Sequence, residues 1–278
     1  MPRGWDPIIA RARDLVNAFT TRFGRAPTLR RLHYELVSDQ FARVYGYVNT
    51  QADYKRLSEL TAVGRRAGVF PDLDETVRWW SREQGFANAD ALREHIREIC
   101  KVDRMRGQAV TIAVVVEKAG SRGFLHDWFD AYSVYITALA GFTSQTIVDN
   151  LKRFQRAHRK PMIVLYAGDH DASGEDIDRD FQDRCGVEGI EVRRVALLPG
   201  HVQQYNLPVS PFDKVDSRAQ AFINRHGGLW QVELDALDPD DLRTLFEAEF
   251  NKLWDFDAYQ AQLDREPELL KEVLGDDA

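Results

Sequence analysis

The stretch from Ala109 to Leu197 most limits the folds open to this 278-residue chain. Ala109–Val116 is an apolar, β-branched run, the pattern of a strand buried on both faces. A helical segment over Phe124–Tyr132 follows, then a short strand over Val134–Leu139 closed by Gly141. Thr143 or Ser144 can cap a helix running to about Ala157. Met162–Tyr166 reads as a third strand, Glu175–Cys185 as a helix and Glu191–Leu197 as a fourth strand. Strands that alternate with helices pack most readily as a parallel sheet in an α/β fold. Functional side chains in such sheets gather at the carboxyl ends of strands, where Glu117, Gly141, Asp169 and Asp171 fall.

The flanking segments read differently. Pro7–Phe23 has apolar residues at helical spacing, Thr28 is a good N-cap for a helix through Val37, and a third helix spans Gln51–Ala67. A polar and aromatic connection containing Tyr45, Tyr47 and Asn49 joins the last two. Three short helices with tight joints suggest a helix-turn-helix or winged-helix unit. Asp74–Arg82 and Asn88–Arg104 are expected to be helical, the second with Leu92, Ile96 and Ile99 as its apolar side. Beyond Pro199 the spacing predicts a loop-rich connection and helices over Ser217–His226, Pro239–Lys252 and Phe256–Leu274, with a strand over Trp230–Leu234. The expected divisions are 1–106, 107–200 and 201–278.

Charge sharpens the division. The whole chain carries 37 basic and 44 acidic side chains, net -7. Residues 1–106 hold 19 basic against 14 acidic, or +5, and residues 107–278 hold 18 against 30, or -12. Arg25, Arg30, Arg31, Lys55, Arg56, Arg65 and Arg66 can form a phosphate-facing surface, although a basic end is also an ordinary solvated face. Cys100 and Cys185 stand alone, which argues against a disulfide scaffold or a Cys-rich zinc site. No apolar run approaches the ~20 residues needed to span a bilayer, so a cytoplasmic protein with no membrane partner is expected.

Glu117 after the first strand and Asp169-His170-Asp171 after the third form the strongest chemical signal. Alternation in an extended segment turns Asp169 and Asp171 to one side, and Glu117 can complete a three-carboxylate site. All-oxygen donors suit Mg²⁺, with Mn²⁺ as a substitute. The plain alternative is that the aspartates cap the helix starting near Gly174. His170 should face away as a packing residue. Glu175 and Asp176 can reach a second ion or serve as ordinary first-turn acids. Lys118 can contact phosphate or balance the acids. In the first helical unit, Arg30 and Tyr34 lie four residues apart on one face. A phenol with a lowered pKa could attack phosphorus, whereas a tyrosine there more usually packs its ring.

Ala113-Val-Val-Val-Glu117-Lys-Ala-Gly, Leu139-Ala-Gly141 and Ile163-Val-Leu-Tyr-Ala-Gly-Asp169-His-Asp171-Ala-Ser-Gly174 together resemble the Toprim domain. This is the metal-binding module of topoisomerases, bacterial primases and several nucleases. The resemblance implies a Rossmann-like parallel sheet and metal binding by Glu117, Asp169 and Asp171. Thr28, Arg30 and Tyr34 match a Thr-x-Arg-x-x-x-Tyr segment of the topoisomerase VI A subunit and the related meiotic break-forming proteins. Lys214-Val-Asp216-Ser-Arg218-Ala and Val232-Glu233-Leu-Asp235-Ala-Leu are similar to the carboxyl-terminal part of phage and bacterial proteins of that kind.

The family resemblance implies a winged-helix-like domain, a Toprim domain and a helical carboxyl-terminal extension. It further implies Mg²⁺-dependent cleavage of double-stranded DNA near the nucleoid, with Tyr34 as nucleophile and Arg30 steering phosphate. A homodimer would pair Tyr34 of one chain with the carboxylates of another. No Gly-rich Lys-Ser/Thr loop for ATP is present, so strand passage would need a separate ATPase subunit. Two other readings stand beside this one: a nuclease using metal-activated water with Tyr34 structural, and a non-catalytic DNA-binding or assembly subunit. Trp79-Trp80 is expected to anchor a seam between domains rather than stack on bases.

Overall fold

Thr111–Val116 (β1) is buried along its whole length, as the run Thr-Ile-Ala-Val-Val-Val requires. In the computed structural model, which describes residues 4–74, 85–141, 145–211, 217–227 and 230–275, this strand lies inside a four-stranded sheet. Its neighbours are β2 (Tyr135–Ala138) on one side and β3 (Met162–Ala167) on the other, with β4 (Ile190–Ala196) beyond β3. All pairings are parallel. The chain is thus mixed α/β, as expected. It steps from β1 outward to β2, then returns across β1 to β3 and β4. The carboxyl ends of β1 and β3 therefore flank the switch in direction, where a parallel sheet opens a crevice.

Period-two alternation sorts the strand residues between two cores. Ala113, Val115, Val164 and Tyr166 face one side with Leu151, Phe181 and Cys185, which come from α7 (Gln145–His158) and α8 (Ala172–Val187). Ile112, Val114, Val116 and Leu165 face the other, against Leu125 and Phe129 of α6 (Arg122–Phe129) and Phe246 and Phe250 of α11 (Pro239–Phe250). The carboxyl-terminal part shares this second core, as does Met105, which was expected to belong to the first division.

A separate core joins α1 (Trp5–Phe23), α2 (Leu29–Ser38), α3 (Gln40–Val44) and α4 (Gln51–Arg66) through Ile8, Ala12, Val16, Leu32, Leu36 and Leu57. Thr28 caps α2 as expected, accepting from the Arg31 N–H at 3.1 Å. The segment between α2 and α4, expected as a connection, holds α3 because Asp39 ends one helix and caps the next, accepting from Ala42 N–H at 2.8 Å. Among the described residues of this unit, the strand-like pairing is an isolated bridge between Thr28 and Asp74.

Two helices differ from expectation. The segment at Asn88–Arg104 stops earlier, as α5 (Ala89–Ile99), with Leu92 42% and Ile99 59% exposed. Periodicity marks an apolar face but supplies nothing to cover it. The long last helix is divided into α12 (Phe256–Leu263) and α13 (Glu266–Leu274), because Pro267 has no N–H to continue a helix and fits the first turn of a new one. Between β4 and α11 run α9 (Pro199–Gln204), α10 (Ser217–His226) and a two-residue antiparallel pair, β5 (Ser210–Pro211) with β6 (Trp230–Gln231). Residues 75–82 of one expected helix, Trp79-Trp80, the capping pair Thr143 and Ser144, and Lys214–Asp216 lie outside the described residues. Among the described residues no helix is long and apolar enough to cross a membrane.

Phe246 is fully buried in the sheet core, whereas Ile99 is 59% exposed. Phe246→Ala is expected to lower unfolding free energy by about 3–5 kcal/mol. Ile99→Ala should change it by less than about 0.5 kcal/mol. Urea denaturation of both variants checks the pair.

Candidate active site

Glu117 continues the ladder past the end of β1. Its N–H donates to Ala167 O at 2.8 Å, and its own carbonyl accepts from Ala140 N–H at 2.9 Å. Backbone on both sides thus fixes the residue, which is buried, with 5% exposure. Oε2 accepts from the Asp169 N–H at 2.9 Å, tying the end of β1 to the end of β3. The residue between β3 and Asp169 has to be glycine. A Cβ on Gly168 would come within 2.4 Å of the Tyr166 hydroxyl and 2.9 Å of Glu117 Oε2.

Every polar atom of Asp169 is engaged. Oδ1 accepts from Leu234 N–H at 2.9 Å, Oδ2 lies 2.7 Å from Lys118 Nζ, and the carbonyl accepts from Arg194 Nη2 at 2.6 Å. Arg194 also grips Asp178 of α8 at 3.0 Å. Lys118 Nζ is 3.7 Å from Glu117 Oε1, so one ammonium sits between two buried carboxylates. Of the two roles open to Lys118, charge balance is the one occupied. Burial is the largest influence on both acids, and the repulsion of Glu117 adds to it at Asp169. Together they raise Glu117 above the usual carboxylate range and Asp169 to about 8, despite Lys118. Such a proton belongs to the pair as a unit.

Asp171 stands beside this pair rather than in it. Its Oδ1 caps α8, accepting from Gly174 N–H at 2.6 Å, and α8 begins three residues earlier than expected because of that cap. Its charge still acts on Glu117. Among the described residues no group of three or more His, Cys, Asp or Glu side chains is arranged to hold a metal ion. The donor set fits a hard cation through two carboxylates, Glu117 and Asp169, with the Lys118 ammonium occupying the cation's place between them. Mg²⁺ is commonly bound in this sparse way, with phosphate and water completing its shell.

His170 turns away from the aspartates, as expected. Its backbone pairs with Val232 at 2.8 and 3.0 Å, and its ring packs among Phe222, His226 and Trp230. Burial, with His226 and Arg194 nearby, pushes its pKa down to about 4. Glu175 pairs with His226 at 2.5 Å and Arg225 at 2.9 Å, and Asp176 with Arg179 at 2.9 Å. Both acids are engaged in local ion pairs.

Tyr34, on α2, lies within electrostatic reach of Asp169 of the same chain. Tyr34 is 5% exposed, and burial holds its phenol well above the usual range; Glu233 and Asp169 push in the same direction and Arg30 opposes them. Arg30 does lower this pKa, as expected, but burial and the neighbouring carboxylates outweigh it, and Arg30 is itself paired with Glu233.

Glu233 and Asp235 are the site residues that sequence reasoning missed. Both act on Lys118 or are acted on by it, and both affect Tyr34. They alternate with Val232 and Leu234, which are buried, and that period of two was the available signal.

The expected phosphate-facing set divides. Arg31 is 9% exposed and inward, donating to the carbonyls of Asp235 and Leu237 and pairing with Glu35 at 2.6 Å. Arg25 lies 3.2 Å from Asp127 and 5.2 Å from the Phe124 ring centre. Both arginines bind the first domain to the rest of the chain. Lys55, Arg56 and Arg66 are exposed on α4, with Arg56 also 3.1 Å from Glu59, and Arg65 is half-buried. No protein-family model matches the chain, and the curated proteins include no significant relative.

The carboxylate pair predicts a pH effect whose sign is fixed. The folded Glu117–Asp169 pair keeps a proton that the unfolded chain has released, so the pair destabilises the fold progressively as pH rises from the ordinary carboxylate range. In the presence of chelator, the stability of Asp169→Asn relative to wild type should therefore rise between about pH 5 and pH 8. Urea denaturation at the two pH values checks it; a constant difference would contradict the buried, proton-holding pair.

Proposed function

We propose that this protein cleaves double-stranded DNA with a divalent cation, by transesterification at Tyr34. The observation that carries the reading is that one short segment joins the tyrosine-bearing helix to the carboxylate pair, Glu233 pairing with Arg30 and the Leu234 N–H donating to Asp169 Oδ1 at 2.9 Å. A tyrosine, an arginine and a carboxylate pair beside a half-buried ammonium form a site suited to a phosphodiester. The partners belonging to this reading are DNA, a second copy of the chain and a separate ATPase subunit. The Toprim and winged-helix assignments belong to it as well.

A bound Mg²⁺ or Mn²⁺ would supply charge neutralisation at the phosphate. The residues do the rest. Glu117 and Asp169 would hold the cation, and Lys118, displaced from Asp169 Oδ2, would offer its ammonium to a phosphate oxygen. Arg30, released from Glu233, orients the phosphate. Tyr34 Oη bonds to phosphorus as the bond from phosphorus to the sugar oxygen breaks. The phenol proton passes to a carboxylate, with Glu233 the acid that acts most strongly on Tyr34, and the departing oxygen takes a proton from water.

One observation favours hydrolysis by water instead: burial pushes the Tyr34 phenol well above its ordinary range and so disfavours the phenolate needed for attack. Incubation with supercoiled plasmid and Mg²⁺ separates the two. Under transesterification, wild type forms a covalent protein–DNA adduct and Tyr34→Phe forms none, with cleavage falling at least ~100-fold. Equal cleavage by both proteins would assign the reaction to water. Asp169→Asn should abolish cleavage on either reading, and full activity in that variant would remove the site altogether.

A further inference from the structure

Between the first-domain helices and the β5–β6 pair lies a cleft of about 250 Å³. Tyr34 and Tyr54 give it aromatic surface, and Asn49, Gln51 and Gln231 give it neutral amides. Arg30 and Glu233 also line it, but they are paired with each other.

Asn49 is oriented from behind. The Tyr47 hydroxyl, on a fully buried side chain, is 2.7 Å from His33 Nδ1, and His33 Nε2 is 3.1 Å from Asn49 Oδ1. If Nδ1 donated to the phenol, the phenol's own hydrogen would be left unpaired in the core, which folded proteins avoid. The phenol therefore donates to Nδ1, and the neutral imidazole carries its proton on Nε2 and donates it to Asn49 Oδ1. Burial pushes the His33 pKa down and keeps the ring neutral. The relay fixes Asn49, a residue of the cleft wall, and its amide nitrogen is a buried donor with no partner among the described residues.

We infer that the cleft receives a single nucleobase turned out of the stack of the bound DNA, an inference that rests on the DNA reading above. Every base offers a flat π-face to the tyrosines and a row of donors and acceptors to the amides. A phosphate is the poorer occupant, because the described lining sets the acid Glu233 beside its cation Arg30 and otherwise offers aromatic rings, hydroxyls and neutral amides. Tyr34 borders both the cleft and the carboxylate region, so the extruded base would neighbour the phosphate to be cut. Extrusion would also make cleavage easier at distorted or mismatched steps, where unstacking costs least.

The test needs no cleavage and is run in chelator. Binding is measured by fluorescence anisotropy to two short duplexes, identical except that one carries a bulged adenosine and the other a bulged abasic nucleotide. Wild type should bind the base-bearing duplex about tenfold more tightly. Asn49→Ala/Gln51→Ala should bind the two within about twofold, and Gln51→Ala alone, at an exposed position, should show an intermediate preference. Thermal unfolding monitored by circular dichroism shows that the variants are folded. Equal wild-type affinities, or a preference that survives the double substitution, would overturn the base pocket and leave the DNA reading standing. Binding to neither duplex would overturn both.

Discussion

Asp169 is the point on which the arrangement depends. Its N–H, its carbonyl and both carboxylate oxygens are engaged, respectively by Glu117, Arg194, Leu234 and Lys118. Through these contacts the end of β3 is fastened to the end of β1, to β4 and to the segment that follows β6. Parallel strands that diverge at a switch point leave a crevice there, and one residue closes its floor. The closing group is a carboxylate that burial and Glu117 both press to stay protonated. Hydrophobic side chains would hold the strand ends together at lower cost, so the acids at this position are better explained by chemistry than by stability.

A second seam positions Tyr34. Arg31, whose charge suggested a DNA contact, instead reaches across to the backbone carbonyls of Asp235 and Leu237. Arg25 does the same with Asp127, and the Phe19 and Phe23 rings meet Phe124 at 6.2 and 5.9 Å. The segment carrying Asp235 and Leu237 also presents Glu233 to Arg30 and the Leu234 N–H to Asp169. One short stretch, 232–237, therefore ties the tyrosine-bearing helix and the carboxylate pair to a common frame.

Much of this could be read from the residues. β1 and β3 are continuous apolar runs because both of their faces are covered, and such runs have few other uses in a chain of this composition. The Thr28 cap and the positions of Glu117 and Asp169 at strand ends follow from local chemistry. What could not be read depends on distant partners. A basic count does not distinguish Arg31, which is buried, from Arg66, which is exposed. The sign of the Tyr34 shift is set by burial and by Glu233, some 200 positions away in the chain, so Arg30 four residues off was a misleading guide. Asp171 shows the local alternative prevailing: an acid one turn before a helical glycine caps that helix.

The central claim is that Tyr34 and the Glu117–Asp169 pair form one cation-dependent site within a single chain. ¹⁹F NMR of protein labelled with fluorotyrosine tests it directly, with the Tyr34 resonance assigned by its loss in Tyr34→Phe. Added Mn²⁺, as a paramagnetic ion held by the pair, should broaden the Tyr34 resonance in wild type and leave it sharp in Asp169→Asn. A Tyr34 signal that stays sharp in wild type, or broadens equally in Asp169→Asn, would contradict the account.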